Sequence, residues 1–337
     1  MKKFLVIGAG FSGTVIAREL AEAGHEVHIV DGRNHIGGNA YDLRDEKTGI
    51  RYHKYGPHIF HTSNERVWNW LSKFTEWHDY KHQVYAMDNR FYYDFPPNIN
   101  TCDMFKKDRN AMIDLFFRPY TRKMWGMELE EIDPRVINRV PIDPDKLDNY
   151  YFKDKYQGMP KGGYTALFEQ ILDHPNIKLM LNMQVSTTLG IASQYDHIFN
   201  SAPIDAWYDY MYGELPYRSI KFHTSWEKIY ALHGISVTNF TDDDIYTRVT
   251  EWKYFPGSGG KDDYTLLTYE EPCDYKDNNY ERYYPVKDVD GKNRKLYKKY
   301  ADLDHGNMTF IGRCGQYVYI DMDQAVNSAL QIAEKFK

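Results

Sequence analysis

Cysteine is scarce in this chain. Cys102, Cys273 and Cys314 are the three cysteines among 337 residues; they lie far apart, and no Cys-x-x-Cys pair occurs. An odd, scattered set argues against a disulfide framework or a zinc knuckle and suits a reducing compartment. The first apolar run, Phe4 to Ile7, is too short for the core of a signal peptide. We therefore expect a cytoplasmic protein without a bound metal.

Long apolar runs and basic clusters are also missing. No stretch reaches the roughly 18 apolar residues that a membrane span needs, and no run of Lys and Arg could follow a nucleic-acid backbone. The formal net charge is −6 and 42% of the residues are hydrophobic, a globular balance. We expect about two compact domains that bind neither membrane nor nucleic acid, and that hold any anionic ligand with a few placed cations.

Tyrosine, by contrast, is abundant, with 30 residues. One interpretation is that tyrosine serves as a half-buried packing residue. The other is a polar, aromatic-lined cleft, since the ring offers a flat face to a base or sugar and the hydroxyl can bond to a phosphate oxygen. Composition alone leaves both interpretations open.

The N-terminus predicts a β-α-β unit. Residues 3–7 and 26–30 have the pattern of buried strands, and residues 11–24 that of a helix ending at Gly24. Between the first strand and the helix lies Gly8-Ala9-Gly10-Phe11-Ser12-Gly13, a GxGxxG turn that lets a pyrophosphate approach the backbone at a helix N-terminus. Asp31 ends the second strand, where a carboxylate accepts hydrogen bonds from ribose hydroxyls and disfavours a 2′-phosphate. This combination predicts a Rossmann-type dinucleotide site.

The rest of the chain predicts an α/β fold with two further parts. We expect a hairpin over residues 82–95 with its turn at Asp88-Asn89, helices over 103–124, 164–173 and 322–336, a loop or mobile segment over 128–148, and strands near 177–183, 196–200 and 308–312. Short β-rich runs from 217 to 285 indicate an antiparallel sheet. The predicted domains are a Rossmann-like dinucleotide-binding domain (1–80, 175–215, 303–337), a small helical domain (96–174) and an antiparallel sheet domain for substrate (81–95, 216–302).

Two further patterns indicate which dinucleotide binds. Arg33 and Gly37-Gly38-Asn39 follow Asp31, and near the C-terminus Gly312-Arg313 precedes Asp321-Met322-Asp323 at a helix start. This arrangement resembles FAD-binding flavoproteins of the amine-oxidase and mutase type. The resemblance implies FAD as cofactor, held by Gly8, Gly10, Phe11, Ser12, Gly13, Asp31, Arg33, Gly38, Asn39, Tyr55, Gly56, His58, Arg313, Asp321, Met322 and Asp323.

A more specific resemblance runs along nearly the whole chain. Its motifs include Tyr55-Gly56-Pro57-His58-Ile59-Phe60-His61-Thr62, Phe116-Phe117, Tyr120-Thr121, Met124-Trp125-Gly126, Asn138-Arg139-Val140-Pro141, Tyr246-Thr247-Arg248, Tyr283-Tyr284-Pro285 and Tyr319-Ile320-Asp321. Together they resemble bacterial UDP-galactopyranose mutases. One departure is the short stretch between Phe95-Pro96 and Phe116-Phe117, where family members usually carry a longer helical insertion that takes part in dimer contacts. A homodimer is therefore possible but left open.

The resemblance implies interconversion of UDP-galactopyranose and UDP-galactofuranose. N5 of reduced FAD attacks the anomeric carbon, the ring opens and recloses, and no net redox change results, so a cellular reductant such as NAD(P)H would be needed. By the same resemblance, Arg139 and Arg248 hold the diphosphate, and His58 lies near flavin and sugar, with a hypothetical role in proton transfer. The other substrate-binding residues are Phe116, Phe117, Tyr120, Trp125, Tyr151, Asn239, Tyr284 and Tyr319, with Tyr120 stacking on uracil.

Three alternatives stay open. The first is a related mutase for another nucleotide sugar, such as UDP-N-acetylgalactosamine or dTDP-fucose. The second is an oxidoreductase of the amine-oxidase type on the same FAD scaffold. The third is a nucleotide-binding protein that has lost its activity, with the short helical region as the cause.

Overall fold

The computed structural model describes residues 1–89, 91–137, 140–185 and 191–337. The strands are β1 (Lys3–Ile7), β2 (Glu26–Val30), β3 (Asp42–Arg44), β4 (Arg51–His53), β5 (Phe60–Thr62), β6 (Trp77–Asp79), β7 (Val84–Asp88), β8 (Phe91–Phe95), β9 (Tyr156–Pro160), β10 (Ile177–Met180), β11 (His197–Asn200), β12 (Tyr217–Glu227), β13 (Val237–Phe240), β14 (Arg248–Glu251), β15 (Thr265–Asp274), β16 (Tyr284–Pro285) and β17 (Met308–Phe310).

In chain order, the helices are α1 (Phe11–Glu22), α2 (Glu65–Leu71), α3 (Ile99–Met104), α4 (Arg109–Met112), α5 (Arg118–Trp125), α6 (Pro134–Ile137), α7 (Gly163–Leu172), α8 (Ile204–Trp207), α9 (Lys292–Ala301), α10 (Gly312–Gly315) and α11 (Met322–Ala333). Among the described residues, no helix is long and apolar enough to cross a membrane.

A five-stranded parallel sheet forms the first half of the molecule, in the order β10-β2-β1-β11-β17. Successive side chains of β1 point to opposite faces. Phe4 and Val6 join the core under α1 and α11, whereas Leu5 and Ile7 pack on the other face. Because both faces are covered, all four residues from Phe4 to Ile7 are apolar. The predicted Rossmann-like α/β fold is confirmed.

A seven-stranded sheet forms the second half, in the order β16-β12-β15-β14-β13-β7-β8. Its longest ladder is antiparallel and pairs β12 with β15 over ten residues. The predicted antiparallel sheet is confirmed, with one parallel pair within it, since β13 runs parallel to β7. The hairpin β7–β8 comes from an earlier part of the chain and joins the sheet there.

The helix predicted over residues 103–124 is in fact interrupted. α3 begins earlier, after Asn98, whose side chain accepts a hydrogen bond from Thr101 N at 3.3 Å. The chain then leaves the helix at Lys106 and Lys107, both with positive φ. Asp108 caps a second start, and α4 continues through a π-helical turn over Ile113–Phe117 into α5. Asn98 and Asp108 are N-cap residues that apolar periodicity does not reveal.

The described residues of the segment 128–148 are more regular than the predicted loop. They contain α6, and Ile132 bridges to Asp288 near the C-terminal third of the chain. Asn138 and Arg139 lie outside the described residues. Several predicted elements also end earlier than expected, since α1 stops at Glu22, β10 at Met180, β17 at Phe310 and α11 at Ala333.

Candidate active site

A glycine-lined cavity of about 430 Å³ opens at the carboxyl end of β1. A Cβ on Gly13 would lie 2.0 Å from the Gly8 carbonyl oxygen, and one on Gly38 would lie 3.1 Å from Gly10 Cα. Glycine at position 13 therefore lets α1 pack closely against the end of β1, and glycine at position 38 lets its turn approach Gly10. No side chain in the described part of the chain caps the N-terminus of α1, so the first N–H groups of this helix can bind a diphosphate.

Asp31 has a fixed position on the wall of this cavity. Its carboxylate accepts hydrogen bonds from Ala9 N at 2.8 Å and from Arg33 N at 2.9 Å. The Arg33 guanidinium donates to Asn39 Oδ1 at 3.0 Å, pairs with Glu281 and lies 4.5 Å from the ring centre of Tyr55. The geometry fits a dinucleotide whose ribose hydroxyls meet Asp31.

The N-terminus of α11 lies on the opposite wall. Asp321 and Gln324 form a reciprocal capping box, and Asp321 and Met322 line the cavity. The positive end of a twelve-residue helix stabilises negative charge on a ligand placed here.

A second cavity of about 620 Å³ lies between the helical region and the seven-stranded sheet. Every described residue of the predicted substrate set lines it: Phe116, Phe117, Tyr120, Trp125, Tyr151, Asn239, Arg248, Tyr284 and Tyr319. Asn239 and Arg248 lie opposite each other in the β13–β14 ladder, so their side chains share a face of the sheet.

Arg248 provides a buried cation in the second cavity. Its Nη2 donates to Tyr120 Oη at 3.1 Å, and its Nε lies 3.1 Å from Glu270 Oε2. The pKa of Glu270 is raised above its usual value, because burial outweighs the opposing effect of the neighbouring Arg248 guanidinium. Because an arginine keeps its proton at neutral pH, the cavity holds a permanent positive charge beside an aromatic ring.

A second arginine organises the tyrosines of this cavity. The Arg313 guanidinium lies 5.1 Å from the ring centre of Tyr284 and 5.6 Å from that of Tyr319. It also donates to the backbone oxygens of Tyr283 at 3.2 Å and Ile320 at 2.8 Å. Burial raises the pKa of Tyr284 well above its usual range, so its phenol is a neutral hydrogen-bond donor.

The two cavities meet at one shared wall. We call this wall the junction, and it consists of His58, Tyr283, Arg313, Asp321 and Met322, which line both cavities. Ligands bound in the two cavities would therefore be neighbours on either side of these residues.

His58 is the imidazole at the junction. Its Nδ1 lies 2.8 Å from the Gly56 carbonyl oxygen, which can only accept, so Nδ1 carries the proton. Burial lowers the pKa of His58 to about 3. The ring is therefore neutral at pH 7, with the lone pair on Nε2.

Comparison with known proteins places this site in a family. The family model described as UDP-galactopyranose mutase matches residues 115–319, and a model for an NAD(P)-binding Rossmann-like domain matches residues 6–74. The chain belongs to the UDP-galactopyranose mutase family. It is accordingly a nucleotide-sugar mutase, an isomerase, with an FAD-binding Rossmann-like domain.

Relatives match over nearly the full length. A dTDP-fucopyranose mutase of Escherichia coli is 38% identical, over 100% of this chain and 98% of that protein. A "Probable UDP-galactopyranose mutase" of Klebsiella pneumoniae is 37% identical, over 99% and 94%. A solved structure of reduced UDP-galactopyranose mutase shares the fold, with a TM-score of 0.78 at 16% identity, covering 100% of this chain and 94% of that one. Membership of this family argues against the alternative that the protein is an oxidoreductase of the amine-oxidase type.

Most of the predicted cofactor residues lie on the first cavity, and three lie behind its wall. Tyr55 packs under Arg33 and hydrogen-bonds to His35. Gly56 faces Phe222 and Glu270. Asp323 accepts from Thr62 Oγ1 at 3.0 Å. The residues on the wall are Gly8, Gly10, Phe11, Ser12, Gly13, Asp31, Arg33, Gly38, Asn39, His58, Arg313, Asp321 and Met322.

The sequence analysis did not assign a substrate-binding role to several polar residues that line the second cavity. Its wall also includes His61, His82, Lys146, Lys153 and Asp154. His61 Nδ1 lies 2.8 Å from Asp154 Oδ2, a contact between residues 93 positions apart that no local pattern reveals. The two lysines stand in a polar stretch that is typical of a solvated loop. Among the described residues, no group of His, Cys, Asp and Glu is placed to hold a metal ion.

Proposed function

We propose that this protein interconverts UDP-galactopyranose and UDP-galactofuranose with reduced FAD. The junction is the observation that carries the proposal, because it lets a sugar bound in the second cavity touch a flavin bound in the first. Reduced FAD would supply N5 as the nucleophile for the anomeric carbon. The chain's own residues would hold the nucleotide, orient the sugar and keep water out.

Arg248 would bind the diphosphate. A guanidinium forms charge-assisted hydrogen bonds to phosphate oxygens, and here it is already held by Glu270 and Tyr120. The phenols of Tyr284 and Tyr319, ordered around Arg313, would donate to the same oxygens. Arg139 is proposed as a second phosphate ligand on the strength of the resemblance, and its neighbours Val140 and Pro141 line the cavity.

Tyr120 would stack on uracil, with Phe116, Phe117 and Trp125 forming the apolar wall around it. Asn239 supports a uridine nucleotide. Its Oδ1 is buried and has no hydrogen-bond partner among the residues the structure describes. A buried acceptor of this kind calls for a donor on the ligand. Uracil N3–H is one candidate, and the ribose 2′-hydroxyl, which a deoxythymidine nucleotide lacks, is another.

His58 would act as a hydrogen-bond acceptor at the sugar. Its ring is neutral and its Nε2 carries the lone pair, so it can orient a sugar hydroxyl at the junction. With a pKa of about 3 it does not carry the extra proton that a general acid would need at pH 7. In place of proton transfer, we therefore propose that His58 accepts a hydrogen bond from a sugar hydroxyl and orients the sugar.

The 38% identical relative favours a second candidate. That protein is described as a dTDP-fucopyranose mutase, and the same cavity would serve a deoxythymidine sugar if the donor to Asn239 were the N3–H of the base. The two candidates differ at the ribose 2′-hydroxyl, the base methyl group and the sugar 6-hydroxyl.

The deciding experiment compares furanose substrates. The purified protein, reduced with dithionite, is incubated with UDP-galactofuranose, dTDP-fucofuranose or UDP-N-acetylgalactosamine in its furanose form, and products are separated by anion exchange. We expect the highest kcat/KM with UDP-galactofuranose and no conversion by oxidised protein. Arg248→Ala should abolish conversion, whereas Arg122→Ala, which removes an exposed arginine paired with Glu128, should not. A higher kcat/KM with dTDP-fucofuranose would overturn the galactose assignment.

A further inference from the structure

We propose that His53 is a positioning residue for His58. The backbone N–H of His58 donates to Nδ1 of His53 at 2.9 Å, so the imidazole at the junction is attached to a second, fully enclosed imidazole five residues earlier. The functional part of this inference rests on the proposed role of His58.

The segment from His53 to His58 is a short turn whose backbone is hydrogen-bonded to other parts of the fold at Lys54 and Tyr55, and to the His53 side chain at His58. β4 ends at His53, and Lys54 N donates to Tyr41 O at 3.0 Å. The Tyr283 hydroxyl donates to Tyr55 O at 2.6 Å. Neither contact holds the backbone of His58 itself. The bond to His53 fixes that backbone, and with it the direction from which the His58 ring enters the junction.

The surroundings of His53 keep its ring neutral, so that Nδ1 can accept the hydrogen bond from the His58 N–H. The side chain is 3% exposed, and rings of Trp252, Tyr164 and Phe255 lie at centroid distances of 5.0, 5.4 and 6.3 Å. Burial lowers the pKa of His53 to about 3, and nearby Arg51 acts in the same direction. The ring is thus neutral, and because Nδ1 accepts, the proton lies on Nε2.

Substitutions at position 53 can distinguish the space that the His53 ring fills from the hydrogen bond that its Nδ1 accepts. Phenylalanine keeps the ring among the three aromatic neighbours but leaves the His58 N–H buried without a partner, which is costly. Asparagine places Oδ1 close to the position of Nδ1, whereas glutamine extends its acceptor one bond further. A residue that only fills space would tolerate phenylalanine best, and a positioning residue would tolerate asparagine best.

The test uses the FAD-loaded variants His53→Phe, His53→Asn and His53→Gln. The control is His197→Phe, which removes a half-buried histidine bonded to Thr309 at the far end of β11. Hydrogen–deuterium exchange of a peptide spanning residues 56–60, in which Pro57 has no amide hydrogen, follows the amides of His58, Ile59 and Phe60, and the His58 amide is the one bonded to His53. We expect this amide to lose protection in the Phe and Gln variants and to keep it in the Asn variant and the control.

Steady-state kinetics give the functional half of the test. We expect kcat of the Phe and Gln variants to fall about tenfold, the order expected for one lost buried hydrogen bond. KM and the Kd for UDP should stay within about twofold, since the proposed nucleotide ligands Tyr120, Asn239 and Arg248 are not junction residues. The Asn variant should recover most of kcat.

Two results would overturn the inference. One is an unchanged His58 amide and unchanged kcat in His53→Phe. The other is that His53→Asn is as impaired as His53→Gln, a comparison that still decides if the Phe variant fails to fold. If the wild-type protein converts none of the sugar nucleotides, the proposed function fails, but amide exchange still tests the positioning.

Discussion

Lowering the pH from 7 to 5 should strongly destabilise this protein, because three histidines are buried in the neutral form. Burial lowers the pKa of His53, His58 and His82 to about 3 in each case. In the unfolded chain a histidine has a pKa of about 6.5. The unfolded state therefore binds more protons between these values. The stabilising contribution is complete above pH 6.5 and is lost as the pH falls toward 3.

The magnitude follows from proton linkage. With an unfolded pKa of about 6.5 and a folded pKa well below 5, each histidine lowers the free energy of unfolding by about 2 kcal/mol between pH 7 and pH 5. The three together account for about 6 kcal/mol, a large part of the 5–15 kcal/mol typical of a folded protein. His35, His197 and His233 also have lowered pKa values and act in the same direction.

Urea unfolding followed by far-ultraviolet circular dichroism at pH 7, 6 and 5 measures this loss. Buried carboxyls with raised pKa values, such as Glu270 and Asp205, act in the opposite direction, so a paired variant is needed. His82→Phe keeps the ring beside Phe152 and Phe255 and removes one titration. Its loss between pH 7 and 5 should be smaller than that of the wild type by about 2 kcal/mol. Equal losses in the two proteins would refute the reasoning.

Two further predictions concern the two cavities, and a third concerns Gly56 in the turn before His58. Gly13→Ala should purify with little bound flavin, seen as lost visible absorbance, because its Cβ would lie 2.0 Å from Gly8 O; normal flavin content would contradict the close approach. Arg248→Lys should weaken UDP binding about 10-fold to 100-fold by calorimetry, since a point charge replaces a planar fork, and an unchanged Kd would remove Arg248 from the phosphate site. Gly56→Ala should be more destabilising than Gly24→Ala by at least about 1 kcal/mol in urea unfolding. Both glycines have positive φ, but only at Gly56 would the new Cβ meet a neighbour, Phe222 Cε1 at 2.9 Å; equal losses would mean that backbone strain alone matters.

The first cavity was predictable from the sequence because its determinants are local. A strand, a glycine turn and a helix follow one another within residues 3–22, and Asp31 ends the next strand. The spacing therefore specifies both the turn and the residue that faces it. Asp323 shows the limit of this reasoning. It belongs to the first turn of α11 like Met322, but its side chain points to Thr62 instead of the cavity, and which side of a helix start faces a ligand depends on packing.

The second cavity required the family resemblance, because its determinants are distant in sequence. Arg248 lies opposite Glu270 in the β14–β15 ladder and meets Tyr120 of α5. Registers of this kind depend on how strands pair, which apolar periodicity does not specify. Taken alone, Arg248 looks like an ordinary surface charge. The break in the helical region was missed because the helix prediction rested on apolar periodicity, although Asn98 and Asp108 are residue types that often cap helix N-termini.

The junction links the walls of the two cavities to each other. Its residues come from three separate parts of the sequence: the turn after β4, the segment before β16, and the region from α10 to the start of α11. Arg313 joins the last two, since it bonds to the backbone of Tyr283 and of Ile320. Cofactor and substrate walls are therefore one hydrogen-bonded unit. A change that displaces the substrate tyrosines also displaces the start of α11 at the cofactor cavity. For a reaction in which flavin and sugar must come within bonding distance, such shared support fixes their relative position better than two independent sites could.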